Sequence, residues 1–263
     1  MKFAYYLAAI GEPNLTIKIE TLEHNLKYIY KNINQDFDIF INLYEEVNAP
    51  AIIDLMGIND KTKYEFIDRV FVSTKKGILS ELWLENPNHI KLVDYDYVLF
   101  ILDDVKIISM NIPKMIQIKE KYSIEFLSPI VLNSTWKYMR EYPNNTLSSN
   151  NDLSNDSSKD VLAITSRIEI FCMLLNYADF MKFMSINDIE NPNIWGVDYI
   201  MSHFKIKTAI LYDNVVSHIL ESNSNHKNCA IQMKKFLKKH GYKSASDIIK
   251  KYPNEIIHRI NKP

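Results

Sequence analysis

Residues 97–102 (YVLFIL) are six consecutive apolar residues, preceded by Asp94 and Asp96 and stopped by Asp103 and Asp104. A run of that length bounded by charge suits a strand buried on both faces, as in the parallel layer of an α/β domain. Its terminal carboxylates then stand where open α/β sheets bind ligands, outside the carboxyl ends of the strands.

The flanking sequence supplies the alternation such a sheet needs. Residues 3–10 form an apolar run ended by Gly11, Glu12 and Pro13, and residues 18–33 carry Ile19, Leu22, Leu26, Ile29 and Ile33 at helical spacing. Residues 37–43 (FDIFINL) read as a second strand, completing a right-handed βαβ unit. Further along, 69–73 (RVFVS) reads as a strand, 76–84 and 113–122 as helices, and 124–132 as a strand interrupted at Ser128 and Pro129. Residues 161–165 and 207–211 are expected to be strands and 167–184 a helix; 228–240 and 245–260 read as a basic amphipathic helical tail.

These elements predict an α/β fold: a mostly parallel, Rossmann-like central sheet flanked by helices over residues 1–222, with a helical C-terminal extension over 223–263 packed on it. Residues 144–160 (NNTLSSNNDLSNDSSKD) are too polar to bury themselves and read as a mobile surface loop or insertion.

Composition narrows the function classes. Thirty-one Lys and Arg against 32 Asp and Glu, mixed along the chain, leave a net charge of −1 and no basic stripe of the kind that neutralises nucleic acid. Cys172 and Cys229 are the only cysteines and have no CxxC spacing, so a disulfide framework is not expected and a reducing, cytoplasmic setting is. The apolar run at the N-terminus is too short to span a bilayer, charges break every later run, and a soluble protein is expected.

Asp103 and Asp104 are the first candidates for chemistry. Adjacent carboxylates at a strand end can hold Mn²⁺ or Mg²⁺, which would neutralise a diphosphate leaving group. An isolated Asp-Asp pair more often caps its strand through turn amides.

The segment YDYVLFILDDV resembles the strand-and-aspartate motif of GT-A glycosyltransferases, particularly the small rhamnosyltransferase-like enzymes of large algal and amoebal DNA viruses. FAYYLAAIG and FDIFINLYEE resemble the first two strands of that fold, STKKGILSELW its basic-plus-glycine segment, NPNIWGVD an acceptor-side WGxD segment, and YDNVVSHIL its late histidine strand. The stretches run in the family's order and span most of residues 1–220.

The resemblance implies a metal-dependent hexosyltransferase that moves a sugar from a nucleoside diphosphate, UDP by expectation, to a hydroxyl of a glycan or glycoprotein acceptor. It would place Ala8, Ala9 and Ile10 at the base, Tyr44 at the nucleoside, Lys76 and Gly77 at the diphosphate, and Asp103 at the ribose or donor sugar. Asp104 and His218 would hold Mn²⁺ or Mg²⁺, Trp195 and Gly196 would meet the acceptor, and Asp198 would accept the proton of its hydroxyl in an inverting reaction or only anchor the acceptor in a retaining one. For a viral protein the setting would be the host cytoplasm.

Each assignment has a structural alternative. His218 can be a core histidine bonded to a carbonyl, Asp198 a helix cap with Trp195 in the core, and Lys75 with Lys76 a solvated turn. Leu102 stands where the family carries its first acid, which shifts metal binding onto Asp104 and leaves open a non-catalytic glycan-binding or scaffold protein. A nucleotidyltransferase is a further alternative, but it usually brings a glycine-rich loop near the first strand, where this chain has only Gly11.

Overall fold

A computed structural model of the chain describes residues 1–44, 49–58, 60, 62–75, 79–132, 160–220, 226–252 and 256–261. Of the anticipated loop at 144–160, residues 144–159 lie outside these and Asp160 begins a strand; Lys76 and Gly77 also lie outside. The chain opens with β1 (Phe3–Ile10), α1 (Leu15–Ile33), β2 (Phe37–Leu43), α2 (Ala49–Met56), β3 (Ile67–Thr74) and α3 (Leu79–Leu84). A 3-10 helix (Pro87–Asp94), β4 (Tyr97–Ile101), β5 (Val105–Ser109), α4 (Ile112–Lys121) and β6 (Phe126–Leu132) follow. Beyond residue 159 come β7 (Asp160–Thr165), β8 (Cys172–Leu175), α5 (Tyr177–Ser185), α6 (Val197–Ile200), β9 (Thr208–His218), α7 (His226–Lys239), α8 (Ala245–Lys251) and β10 (Ile256–Asn261).

The described strands join in one ten-stranded sheet, ordered β10-β7-β9-β6-β8-β4-β1-β2-β3, with β5 paired to β9 off that path. Its parallel character is concentrated in β3-β2-β1-β4, the half built by the N-terminal βαβ units. Every residue of β1 and β2 is buried, as expected where helices cover both faces. The other half is mixed: β8 runs antiparallel to β4 and β6, while β6 and β9 are parallel.

Three departures from the sequence reading have local causes. Residues 172–175 (CMLL) were expected in a helix but form β8, whose four buried residues pair with β4. The helix begins later, at α5, because Asn176 accepts the Asp179 amide and caps it. The tail is not wholly helical: after α8 the chain returns as β10, antiparallel to β7. At β6 the strand continues through Ser128 and Pro129, and the interruption appears instead as a register shift against β9 after Pro129, the residue that has no amide to donate.

A buried polar layer ties the parallel half to the 3-10 helix. Asn42 donates to the Leu7 carbonyl at 2.9 Å and accepts from Asn86 at 2.5 Å, Asn86 also reaches the Tyr6 hydroxyl at 3.3 Å, and that hydroxyl shares a 2.7 Å hydrogen bond with His89 Nε2. Burial holds His89 down to about 4. In the unfolded chain histidine titrates near 6.5, so as pH falls from there to about 4 the unfolded state takes up a proton that the native state refuses. The His89 contribution to stability should fall across that window by on the order of 3 kcal/mol and change no further below it. Urea denaturation of wild type and His89→Gln across this range should show the variant lacking that part of the slope.

Candidate functional site

The site is built at the turn that follows β4. Leu102 donates its amide to the Phe171 carbonyl at 3.0 Å, Asp103 and Asp104 form the turn, and Val105 starts β5. Because β5 pairs antiparallel with β9, Val105 lies opposite His218, and the Ile219 amide donates to the Asp104 carbonyl at 2.9 Å. That register sets His218 beside Asp104, with Nε2 donating to Oδ2 at 2.9 Å. The Phe171 ring stacks on the imidazole at 4.7 Å between centroids.

Helix α1 holds the other side of β5. Asn25 donates to the Val105 carbonyl at 2.8 Å and accepts the Ile107 amide at 2.9 Å, so one side-chain amide stands in for a neighbouring strand. His24 Nε2 donates to the Ile107 carbonyl at 2.8 Å, and Tyr28 accepts the Met110 amide at 3.1 Å.

Lys18, on the same helix, was not recognised from sequence. Its ammonium donates to the Gly11 carbonyl at 2.8 Å and forms an ion pair with Asp103 Oδ2 at 2.9 Å. The available signal was position: Lys18, Thr21 and Asn25 are polar yet share the buried side of α1 with Ile19, Leu22 and Leu26. Burial pushes the Asp103 carboxyl up to about 6, with Lys18 opposing the shift and Asp104 adding to it. His218 is raised chiefly by its hydrogen bond to Asp104, against its own burial.

Tyr44 belongs to the same neighbourhood. Its hydroxyl is raised by burial and then by the charges of Asp103 and Asp104. Its amide donates to the Ile10 carbonyl at 3.1 Å, and a Cβ on Gly11 would stand 3.1 Å from the Tyr44 Cβ, which ties glycine to that close approach. Ala8, Ala9 and Ile10 are buried at the end of β1, and the Ala8 carbonyl accepts the Trp83 indole N–H at 2.7 Å. The carbonyls of Ala8 and Ile10 are therefore engaged within the protein. Lys75 forms an ion pair with Glu85.

The residues expected at the acceptor, Trp195, Gly196 and Asp198, lie on α6 and just before it. Gly196 takes φ 91° before α6, and a Cβ there would come within 2.8 Å of Met233 Cγ and 3.3 Å of Leu237 Cδ2, so the close approach at this glycine is to α7. Trp195 is half-buried and its carbonyl accepts from Asn191 at 3.0 Å. Asp198, in the first turn of α6, is pushed up to about 7 by burial and then by Glu169, against the pull of Arg167. Glu169 also bears on His218. It is buried in the short connection between β7 and β8, and an isolated glutamate in SRIEIF offered no sequence signal.

The fold thus gathers Lys18, Tyr44, Asp103, Asp104 and His218 at one end of the parallel strands, and the charge of Glu169 raises both His218 and Asp198. Among the described residues, no three His, Cys, Asp or Glu side chains form a ready metal cluster. Asp104 Oδ1 is nevertheless buried without a hydrogen-bond partner among the described residues, and an unsatisfied carboxylate oxygen beside an imidazole is a donor set suited to Mn²⁺. The residues fit a cation held by two protein side chains, with its remaining positions filled by other oxygens.

The sequence matches no protein-family model and no curated protein. Among solved structures, the chain is similar to GalNAc-T7 crystallised with UDP, GalNAc and Mn²⁺, with a TM-score of 0.58 at 11% identity over 97% of this chain and 58% of that one. It spans little more than half the length of that chain. A crystal structure of S. aureus TarS 1–349 matches with a TM-score of 0.49 at 13% identity over 95% of this chain and 74% of that one. The same TarS segment in complex with UDP-GlcNAc gives 0.46 at 12%, over 95% and 75%. The GalNAc-T7 superposition places the chain in the GT-A type of α/β fold; the likeness does not distinguish the viral group to which the motifs point.

Removing the Lys18 ammonium beside partly buried Asp103 should be costly, because breaking one side of such a pair leaves the other unpaired, by about 3 kcal/mol. Lys18→Met is expected to lose stability on that scale, and Lys18→Met with Asp103→Asn to recover most of it. Urea denaturation of the full double-mutant cycle measures the coupling.

Proposed function

We propose that this chain is a glycosyltransferase that takes a sugar from a nucleoside diphosphate donor, UDP-linked, and passes it to a hydroxyl of a glycan acceptor. The observation that carries this reading is the Asp104–His218 contact at the carboxyl end of β4, with one Asp104 oxygen buried and unsatisfied, in a GT-A fold. GalNAc-T7, which shares the fold, was crystallised with UDP and Mn²⁺.

Asp104 and His218 would hold Mn²⁺ or Mg²⁺. When bound, the cation supplies Lewis-acid stabilisation of a departing diphosphate. Asp104 would contribute its unsatisfied Oδ1, and His218 would contribute a ring nitrogen that carries no proton. Asp103, steadied by Lys18, orients the donor's ribose or sugar hydroxyls, and Tyr44 lines the nucleoside side. Lys76 and Gly77 are assigned to the diphosphate, and the backbone from Ala8 to Ile10 to the base, on the resemblance alone.

Asp198 is the candidate for accepting the proton of the acceptor hydroxyl, because a carboxylate pushed up to about 7 has a basicity matched to neutral pH. Trp195 offers the acceptor a half-buried aromatic face, and Gly196 shapes that segment by letting α7 approach it. Transfer makes the bond from acceptor oxygen to anomeric carbon and breaks the bond from that carbon to the diphosphate, and the hydroxyl proton goes to Asp198.

Donor hydrolysis without acceptor tests this reading across a panel of nucleotide sugars. Wild type should release nucleoside diphosphate in a saturable, Mn²⁺-dependent way. Asp104→Ala and His218→Ala should each raise the half-saturating Mn²⁺ concentration and lower turnover by about two orders of magnitude or more. Asp198→Asn should spare donor and Mn²⁺ binding while lowering transfer. Failure to bind or hydrolyse any nucleotide sugar, with Mn²⁺ affinity unchanged in both metal-site variants, would sink the proposal.

A further inference from the structure

The balanced net charge conceals a segregation. Residues 226–252 hold eight lysines and one aspartate, a net +7, and the rest of the chain holds 23 basic against 31 acidic residues, a net −8. The even mixing of charge expected from composition therefore does not hold in this segment. Asymmetry of this size points to an anionic partner.

Helix α7 organises the excess into a face. Lys227, Ile231, Lys234, Lys235 and Lys238 follow one another at spacings of four, three, one and three residues, which places them within about a 100° arc of the helix. All five are exposed, Ile231 at 49%. Cys229, Phe236 and Leu237 occupy the opposite side and are buried. Lys239 lies outside the arc and is taken up by Asp188 at 2.7 Å and by Glu190. None of the four lysines in the arc makes an ion pair among the described residues.

We infer that this face of α7 docks on an anionic lipid surface, with the four lysines over the headgroups and Ile231 entering the boundary. The lysines supply attraction to acidic lipids, and the exposed isoleucine among them favours a lipid surface over a purely polyanionic partner, which would leave it in water. The opposite face of α7 packs on Gly196 through Met233 and Leu237, so the helix is the layer between the 195–198 segment and that surface. The inference stands on the charge and exposure of α7 and does not depend on the proposed reaction.

Co-sedimentation of the full chain with vesicles of phosphatidylcholine alone, or of phosphatidylcholine carrying phosphatidylserine, tests it directly. Binding is expected only with phosphatidylserine and should be released by high salt. Replacing Lys234 and Lys235 by glutamine, which retains helix propensity, should lower the partition coefficient about fivefold per lysine. Ile231→Asn should lower it severalfold with the charge unchanged. Matched thermal melts would show that the exposed substitutions leave the fold intact. Equal binding to both vesicle types would overturn the inference, as would wild-type binding by the lysine variant. Salt-sensitive binding to duplex DNA, together with no effect of Ile231→Asn on vesicle binding, would overturn it in favour of a nucleic-acid partner.

Discussion

The short strand β5 is the member on which the candidate site depends. Among the described residues its one strand partner is β9, and on its other side side chains of α1 hold it, above all the two hydrogen bonds of Asn25. Buried backbone groups left unpaired would each cost about 1–3 kcal/mol, so Asn25 does for β5 what a further strand would otherwise do. With β5 held, the residue before it, Asp104, cannot choose its neighbour. The ladder places His218 there, and Phe171 closes the other face of the imidazole.

The second constraint is electrostatic. Two adjacent carboxylates at a partly buried turn repel each other and lose hydration. The protein treats them differently: Asp103 receives the Lys18 ammonium, itself anchored by the Gly11 carbonyl, while Asp104 receives His218. The asymmetry of the two partners argues for distinct tasks. A lysine is a fixed cation, whereas an imidazole can give up its proton to become a ligand.

Much of the parallel half was legible in the sequence because its signals are local and redundant. The runs at 3–10 and 97–102 are apolar, the run at 37–43 is apolar but for Asp38 and Asn42, and the helix at 15–33 has a clear periodicity. The mixed half was less legible because its strands are specified by partners far away in sequence. CMLL at 172–175 is equally apolar as a helix turn or a strand, and only pairing with β4 decides between them. In the site, Asp104 and His218 are 114 residues apart, and family resemblance rather than spacing joined them. Lys18 was missed because a lysine on a helix reads as solvated until Asp103 is placed beside it, and Glu169 because its neighbours arrive only through the fold.

The connection from Ser166 to Phe171 carries more than its length suggests. Within six residues it supplies Arg167 and Glu169 to the surroundings of Asp198, the Phe171 carbonyl that fixes Leu102, and the ring that lies on His218. A substitution there would be felt both at Asp198 and at the Asp104–His218 pair, so single changes in this loop and in α6 should combine non-additively. The two parts of the candidate site are therefore coupled through one short connection and hard to retune separately.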